Sequence, residues 1–391
     1  VQLVKAIDLA IVGGGPAGLS LALTLIQRDP GWRQRMVVLE KAHHPRHKLC
    51  GGGLTVLALN EIKRLGLILD IHYVRLEQAR FSYRDLIIDL PGDPAFVVTR
   101  RSEFDHWLAL QAKQRHVPLL EGVEVKSIER ASDRLHLTTN SETYAARMVV
   151  GADGSRGVVR SWLVGRENPP HVARLLEFVQ PTEADTNPYF LNQYAQFDFS
   201  ALEQNLQGYF WDFPSKLKGV PHMNLGLFDS RIHQGRPRAK LPNILHNQAT
   251  QRQVDPEQIK LEGHPIHWFA PSNQLNAERV LLVGDAAGAE PLFGEGIGIA
   301  LAYSQLAADE IEDAFKRSAF HFPGYRRRLL MSPLGRYLLL RWLVAAILYR
   351  FGGRPLIMKA IWAFAAGVAW LAGSLPPVEG VLAEDPPPGN P

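Results

Sequence analysis

A chain of 391 residues, 46% hydrophobic and 21% charged, has the composition of a folded protein, and its length suits two or three domains. Its single cysteine, Cys50, excludes an intrachain disulfide framework and a cysteine-based metal site, which fits a reducing compartment. The net charge of +4 is unevenly spread: ten cations and no carboxylate lie between Asp313 and Glu379, so the rest of the chain is net acidic.

Asp8 to Val12 reads as a buried parallel strand, followed by Gly13-Gly14-Gly15-Pro16-Ala17-Gly18 and an apolar helix through Leu25. This is G-x-G-x-x-G between a strand and a helix, the fingerprint of a dinucleotide site. Gly13 makes the tight turn, Gly15 lets backbone approach a pyrophosphate, and Gly18 lets the helix pack on the strand. The second strand, Met36 to Leu39, ends in Glu40, about 20 residues past the glycines, where a carboxylate holds ribose hydroxyls. His43, His44 and His47 match no usual metal spacing, so exposed loop histidines and no metal are expected. Cys50 precedes Gly51-Gly52-Gly53, where backbone comes close to a flat ligand, although free cysteine is usually a small buried hydrophobe.

Phe81 to Val98 alternates in part and carries Pro91-Gly92, the pattern of strands in a second sheet. Thr99 to Asp105 reads as a helix start, with Ser102 as cap and Asp105 at the capping-box position. Arg101 before it either reaches a ligand or is solvated. Val123 to Ile128 and Leu135 to Thr139 form a hairpin-like pair, and Arg147 to Val150 is a strand that runs into Asp153-Gly154. From Leu175 to Trp268 the pattern is β-rich, polar and aromatic, as in an antiparallel sheet. Tyr209, Trp211 and Phe213 alternate there and share one strand face, either as core or as a wall along an apolar ligand.

Val280 to Val283 is a buried strand that Gly284-Asp285 ends, and a glycine-rich turn through Gly294, Gly296 and Gly298 feeds a small-residue helix. A bare helix N-terminus carries unpaired amides and the positive end of the macrodipole. That suits a flavin, whose reduced ring holds negative charge near its pyrimidine edge, with Asp285 placed to accept from ribityl hydroxyls. Pro323 to Leu375 alternates arginines with large apolar residues such as Leu338, Trp342, Ile347, Trp362 and Trp370. Nucleic acid binding wants cations beside polar surface, so no nucleic acid is expected. Arginine heads at phosphates with Trp and Tyr at the boundary predict an interfacial membrane helix. Ala360 to Val378 is uncharged and approaches the ~20 residues that span a bilayer, but it is rich in Ala and Gly and ends in Pro-Pro. An interfacial anchor is therefore the first expectation, with a lid on the body or a true span as alternatives. The tail from Pro376, with Pro386-Pro387-Pro388, is expected to be disordered.

Gly13 to Gly18, Glu40, Arg101, Asp153-Gly154 and Gly284-Asp285 together resemble the flavoprotein superfamily of para-hydroxybenzoate hydroxylase, over roughly Asp8 to Ile311. Within it, Lys48-x-Cys50-Gly51-Gly52-Gly53-Leu54, Tyr209-x-Trp211-x-Phe213-Pro214 and Gly284-Asp285-Ala286-Ala287-Gly288…Pro291…Gly294-Glu295-Gly296-Ile297 resemble the geranylgeranyl reductase family. Members of that family use FAD to saturate carbon–carbon double bonds of polyprenyl chains on chlorophyll precursors, archaeal lipids, free diphosphates or quinones.

The resemblance implies an α/β architecture: a Rossmann-type FAD-binding domain in three parts (1–80, 99–165 and 275–320) with an inserted antiparallel-sheet substrate domain (81–98 and 166–274). A C-terminal helical, membrane-interfacial segment (321–375) and a tail (376–391) follow. It implies that FAD is held by Gly13, Gly15, Pro16, Ala17, Gly18, Glu40, Lys41, Cys50, Gly51, Gly52, Arg101 and Val125, together with Asp153, Gly154, Gly284, Asp285, Gly294, Gly296, Ile297 and Gly298. Cys50 would be the proton donor beside the flavin, and Tyr209, Trp211, Phe213 and Pro214 would line a prenyl channel. With no second dinucleotide fingerprint, the electron donor is expected to be NADPH docking transiently or a reduced ferredoxin. The expected location is the cytoplasm or an organellar stroma, peripherally on a membrane. One departure stands out: Pro214 is expected to reach Gly226 by a longer loop than in the family, and Phe228 replaces a second glycine. A flavin-dependent monooxygenase or halogenase is the alternative function, and a non-catalytic membrane flavoprotein or prenyl-lipid-binding factor the second.

Overall fold

The computed structural model describes residues 4–165, 171–255 and 259–383. The chain opens with β1 (Val4–Val12), α1 (Pro16–Arg28), the short α2 (Trp32–Arg35) and β2 (Met36–Glu40). β3 (Gly53–Leu54), α3 (Val56–Arg64), the long pair β4 (Tyr73–Tyr83) and β5 (Leu86–Thr99), and α4 (Arg101–Gln114) follow. Next come β6 (Leu119–Glu121), β7 (Val125–Arg130), β8 (Leu135–Thr139), β9 (Thr143–Gly151) and α5 (Val158–Val164). Then β10 (Val172–Pro181), α6 (Pro188–Leu191), β11 (Tyr194–Asp198), β12 (Gly208–Leu217), β13 (Val220–Asp229), α7 (Leu241–Gln251) and β14 (Glu262–His267) are formed. The last elements are β15 (Asn276–Ala277), β16 (Val280–Leu282), α8 (Ile297–Arg317), α9 (Tyr325–Met331), α10 (Pro333–Phe351) and α11 (Pro355–Ala372).

Two eight-stranded sheets result. The first runs β15-β16-β9-β1-β2-β6, with β16, β9, β1, β2 and β6 mutually parallel and the β7–β8 hairpin attached to β9. β1 lies inside it and Leu9 to Val12 are buried, which is why this strand reads as a continuous apolar run rather than an alternation. α1 packs on α8.

The second sheet runs β14-β10-β13-β12-β11-β4-β5-β3 and is antiparallel apart from the β11–β4 pair. Its first long strand begins at Tyr73, ahead of the expected Phe81, and β3 joins it by pairing Gly53 with Val98. The Cys50 loop is thereby tied to both sheets. The long loop expected after Pro214 is absent. β12 runs on to Leu217 and turns through Lys218-Gly219, both at positive φ (48° and 80°), as a two-residue hairpin turn requires. At the start of α4 the expected Ser102 cap is also absent: Arg100 is the N-cap residue and makes no side-chain cap, and Asp105 bonds Arg101 instead.

The C-terminal helices are neither wholly a lid nor wholly free. Ala345, Leu348, Tyr349, Met358 and Trp362 join the aromatic core of the second sheet, with the Trp362 ring 5.6 Å from Tyr83 and 5.4 Å from Phe199. Their outer faces are apolar and exposed. Among the described residues one helix, α11, is long and apolar enough to cross a membrane, with mean hydropathy 1.6. The tail departs from the expected disorder as far as Ala383. Val381 is fully buried, Leu382 bridges Leu69, and Tyr73 donates to the Ala383 carbonyl. Pro386-Pro387-Pro388 lie outside the described residues.

Candidate functional site

One cavity of about 1270 Å³ runs between the two sheets, larger than the ~300–1,000 Å³ of an ordinary small-molecule site. At one end it is lined by Gly13, Gly15, Pro16 and Ala17 of the β1–α1 turn and by Glu40 and Lys41 at the end of β2. Arg101, Val125, Asp153, Gly154, Asp285, Gly294, Gly296 and Ile297 line it too, with Cys50, Gly51 and Gly52 on the loop before β3. Gly18, Gly284, Gly298 and Pro214 stand outside the lining, against expectation. A Cβ on Gly18 would meet the Gly13 carbonyl oxygen at 2.0 Å, so Gly18 packs helix on strand, while one on Gly284 would meet the Ala17 Cβ at 2.6 Å, so Gly284 leaves room for that side chain. Gly298 sits against Glu295 and the α3 backbone, and Pro214 follows Phe213 onto the opposite face of β12.

The lining fits an FAD. Neither α1 nor α8 has a side-chain cap, so two bare helix N-termini border one cavity. Glu40 is buried and accepts Gly14 N–H at 2.7 Å and Ala42 N–H at 2.9 Å, which fixes it at the mouth of the turn with lone pairs remaining for hydroxyls. Asp153 Oδ1 is buried without a hydrogen-bond partner, and burial pushes this carboxyl up to about 7. An orphaned acceptor of this kind calls for a donor from a bound molecule. Arg101 is buried rather than solvated, held by Asp105 through bonds of 2.7 and 2.8 Å, and Arg46 reaches the same carboxylate at 3.1 Å.

The sequence assigns no role to Lys48, the first residue of the Lys48-x-Cys50 motif. It lines the cavity and its ammonium lies 2.6 Å from His264 Nε2. Burial, then Lys48 itself, pushes His264 down to about 3, so the imidazole is neutral and accepts. Burial also lowers Lys48. Of the loop histidines, His43 and His47 are exposed as expected, but the His44 ring is buried against Glu121.

The other end of the cavity is one face of the second sheet. Tyr209, Trp211 and Phe213 share that face, beside Phe197, Phe228, Ala79 and Phe81 from neighbouring strands. Phe197 is the hub, with ring centroids 4.9 Å from Phe81, 5.1 Å from Phe213 and 5.3 Å from Tyr209. Gly226, opposite Trp211, makes room for the indole: a Cβ there would lie 2.3 Å from Cζ2. Phe228, the residue that departs from the family pattern, fills the space beside Gly294.

Cys50 stands where the two ends meet, and Gly52 N–H donates to its Sγ at 3.4 Å. Behind it, fully buried Asn224 accepts from Trp211 Nε1 at 3.0 Å and donates to the Cys50 carbonyl at 3.2 Å and to Glu177 at 3.3 Å. This bracket couples the thiol loop to the aromatic wall, and only the fold reveals it, because an Asn in a strand carries no sequence mark. Burial pushes Glu177 up to about 7 from an ordinary 4.5, although Arg100 draws it down. A carboxyl raised in the folded state contributes stability at low pH that is lost as pH rises from its unfolded toward its folded value. Glu177→Gln is therefore expected to lose less unfolding free energy than wild type between these two pH limits, by about one proton of linkage. Denaturant midpoints near the two limits check this, and equal pH slopes would contradict it.

Residues 6–305 match the FAD binding domain family, and the chain belongs to it as an FAD-dependent oxidoreductase. Over 332 residues the chain is 28% identical to the menaquinone reductase of Mycolicibacterium smegmatis, covering 77% of this chain and 75% of that one. It is 27% identical to the geranylgeranyl diphosphate reductase of Rhodobacter capsulatus, covering 77% and 74%. Its fold is that of a geranylgeranyl bacteriochlorophyll reductase-like protein from Thermoplasma acidophilum, with a TM-score of 0.75 at 19% identity over 98% and 94% of the two chains.

Proposed function

We propose that this flavoprotein saturates carbon–carbon double bonds of an isoprenoid chain. The observation that carries the reading is one continuous cavity in which a dinucleotide cradle, a single thiol and an aromatic chamber follow one another. The relatives named for menaquinone and for geranylgeranyl diphosphate make a prenyl-bearing substrate the natural occupant of that chamber. Bound in that cradle and reduced, FAD would supply the hydride.

The chain's own residues bind, shield and protonate. Phe197, Tyr209, Trp211 and Phe213 hold the polyene by apolar contact and keep water out. An isolated alkene has no carbonyl to take up charge, so the carbon next to the one receiving hydride needs a proton; Cys50, whose side chain lines the cavity, gives it from Sγ–H. Lys48, within electrostatic reach of the thiol and made more acidic by burial, returns that proton. The electron donor is NADPH or a reduced ferredoxin. The chain works peripherally on a membrane through residues 321–375, on the cytoplasmic or organellar stromal side.

The test is anaerobic. Flavin is reduced chemically, a polyprenyl substrate is added, and mass spectrometry looks for two hydrogens gained per bond. Oxygen consumed in step with an oxygenated or halogenated product would instead place the chain among monooxygenases or halogenases. Cys50→Ala is expected to keep its flavin and slow turnover by about 10²-fold. Full turnover with flavin bound would remove the thiol from the mechanism.

A further inference from the structure

We infer that the cavity takes its substrate directly from a lipid bilayer, through an opening bounded by Leu57 and Asn60 of α3, Leu90 of β5 and Leu375-Pro376. The outer faces of α10 and α11 would rest on anionic lipid beside that opening. The inference rests on the isoprenoid reading above for the identity of the cargo, but not for the docking itself.

The exposed residues of the cavity lining fall into two groups. Lys41, His47, Lys126 and Arg156 mark the cradle end and are cationic or polar. Asn60 on α3 and Pro376 are the remaining exposed lining residues, and half-buried Leu57, Leu90 and Leu375 line the cavity as well, as do Tyr337 and Arg341 of α10. An opening rimmed by aliphatic groups gives a prenyl chain no reason to cross water. The rim is built by the segment just after α11: Leu375 N–H donates to the Pro91 carbonyl at 2.8 Å, and Leu375 bridges Gly92 on β5. Whatever holds α11 therefore also presents the opening.

What holds α11 is set by its unpartnered face. Leu356 is 84% exposed, Phe364 75%, Trp370 81% and Leu371 78%, and on α10 Leu340, Leu343 and Ile347 are exposed at three- and four-residue spacing. A contiguous apolar face of this kind on a folded chain marks an interaction surface. Its charge selects the partner. Arg326, Arg327, Arg336, Arg350, Arg354 and Lys359 are exposed around it, and no carboxylate occurs between Asp313 and Glu379. Aliphatic and Trp side chains on a segment whose only charges are cationic match an anionic headgroup layer over a hydrocarbon interior.

The full chain is mixed with phosphatidylcholine vesicles, with and without phosphatidylglycerol, and p-benzoylphenylalanine is placed at position 376 or, as a control, at position 126. The expected results are sedimentation with the anionic vesicles, weakened by salt, and lipid photo-adducts at 376 but not at 126. A variant carrying Leu356→Gln, Phe364→Gln, Trp370→Gln and Leu371→Gln is expected to bind vesicles about tenfold less well or weaker. It should reduce a vesicle-embedded polyprenyl substrate slower by a similar factor, while a detergent-dispersed short prenyl alcohol is reduced at the wild-type rate. No vesicle binding, adducts absent from 376 or equal at both positions, or unimpaired use of the embedded substrate by the variant would each overturn the inference. If wild type reduces neither substrate, the isoprenoid reading fails, and the sedimentation and cross-linking results still decide the docking by themselves.

Discussion

Gly13→Val is expected to give a chain that carries no flavin, however much FAD is supplied. Gly13 sits at φ +112°, a conformation that costs an L side chain about 1–3 kcal/mol. Space is the harder limit: a Cβ there would stand 2.3 Å from the Ala152 carbonyl oxygen and 2.7 Å from its carbon, both backbone. Ala152 cannot retreat, because its N–H donates to the Val12 carbonyl at 2.8 Å where β1 and β9 end together. The relief open to the variant is to lift the β1–α1 turn away from Asp153 and Gly154, which line the opposite side of the same cradle. Both walls of the cradle are then displaced. Gly15→Ala is the control, since its Cβ meets only the end of the Arg46 side chain, at 3.3 Å. That variant should fold normally and lose affinity only through blocked backbone approach to the pyrophosphate. Visible flavin absorbance per purified chain, read beside circular dichroism, separates the two. Stoichiometric flavin in Gly13→Val would show that the turn tolerates a side chain.

The cradle was legible because its determinants are local. A strand, three spaced glycines, a helix and a carboxylate at the end of the next strand stand close together in the chain, and each residue type has a steric or electrostatic reason to be there. The same reasoning over-assigned. Gly284 and Gly298 sit in the same motif as the ligand-facing glycines, yet both stand outside the lining, Gly284 against the Ala17 side chain, whereas Gly18 packs helix on strand as expected and also stands outside it. In the turn after β16, unlike the β1–α1 fingerprint, nothing in the sequence separates a glycine kept for a ligand from one kept for a neighbouring side chain.

The second sheet was read less well because its determinants are long-range. The Lys218-Gly219 hairpin was missed since lysine is not a residue that advertises positive φ, so the stretch after Pro214 looked like a loop. Asn224 and Glu177 reach Cys50 from strands far along the chain, and no spacing announces them. The tail misled through composition: its prolines suggest disorder, while Val381 and Leu382 find an apolar seat beside Leu69.

Asp105→Ala is expected to cost about 3–5 kcal/mol of folding stability, the range for removing one partner of a buried ion pair. The Asp105 side chain is 0% exposed and that of Arg101 9%, and their two parallel bonds are supported by Arg46. Burial alone would raise the carboxyl, but the Arg101 guanidinium outweighs it and holds Asp105 below its ordinary 3.8. A depressed acid contributes stability that is present above the unfolded value and lost as pH falls through the folded one, so the deficit of the variant should shrink in acid. Urea midpoints at neutral and acidic pH check both statements, and a loss within about 1 kcal/mol would mean that the pair is solvated in solution.

The pair also serves the cavity, because Arg101 lines it while Asp105 does not. Arg101→Met with Asp105→Leu removes both charges together and should recover much of the lost stability, since apolar replacement of a buried pair is often neutral. It is not expected to recover flavin affinity, because the Arg101 cation that lines the cavity is gone. Stability regained without flavin regained would assign Asp105 to holding the fold and aiming Arg101, and Arg101 to the cofactor.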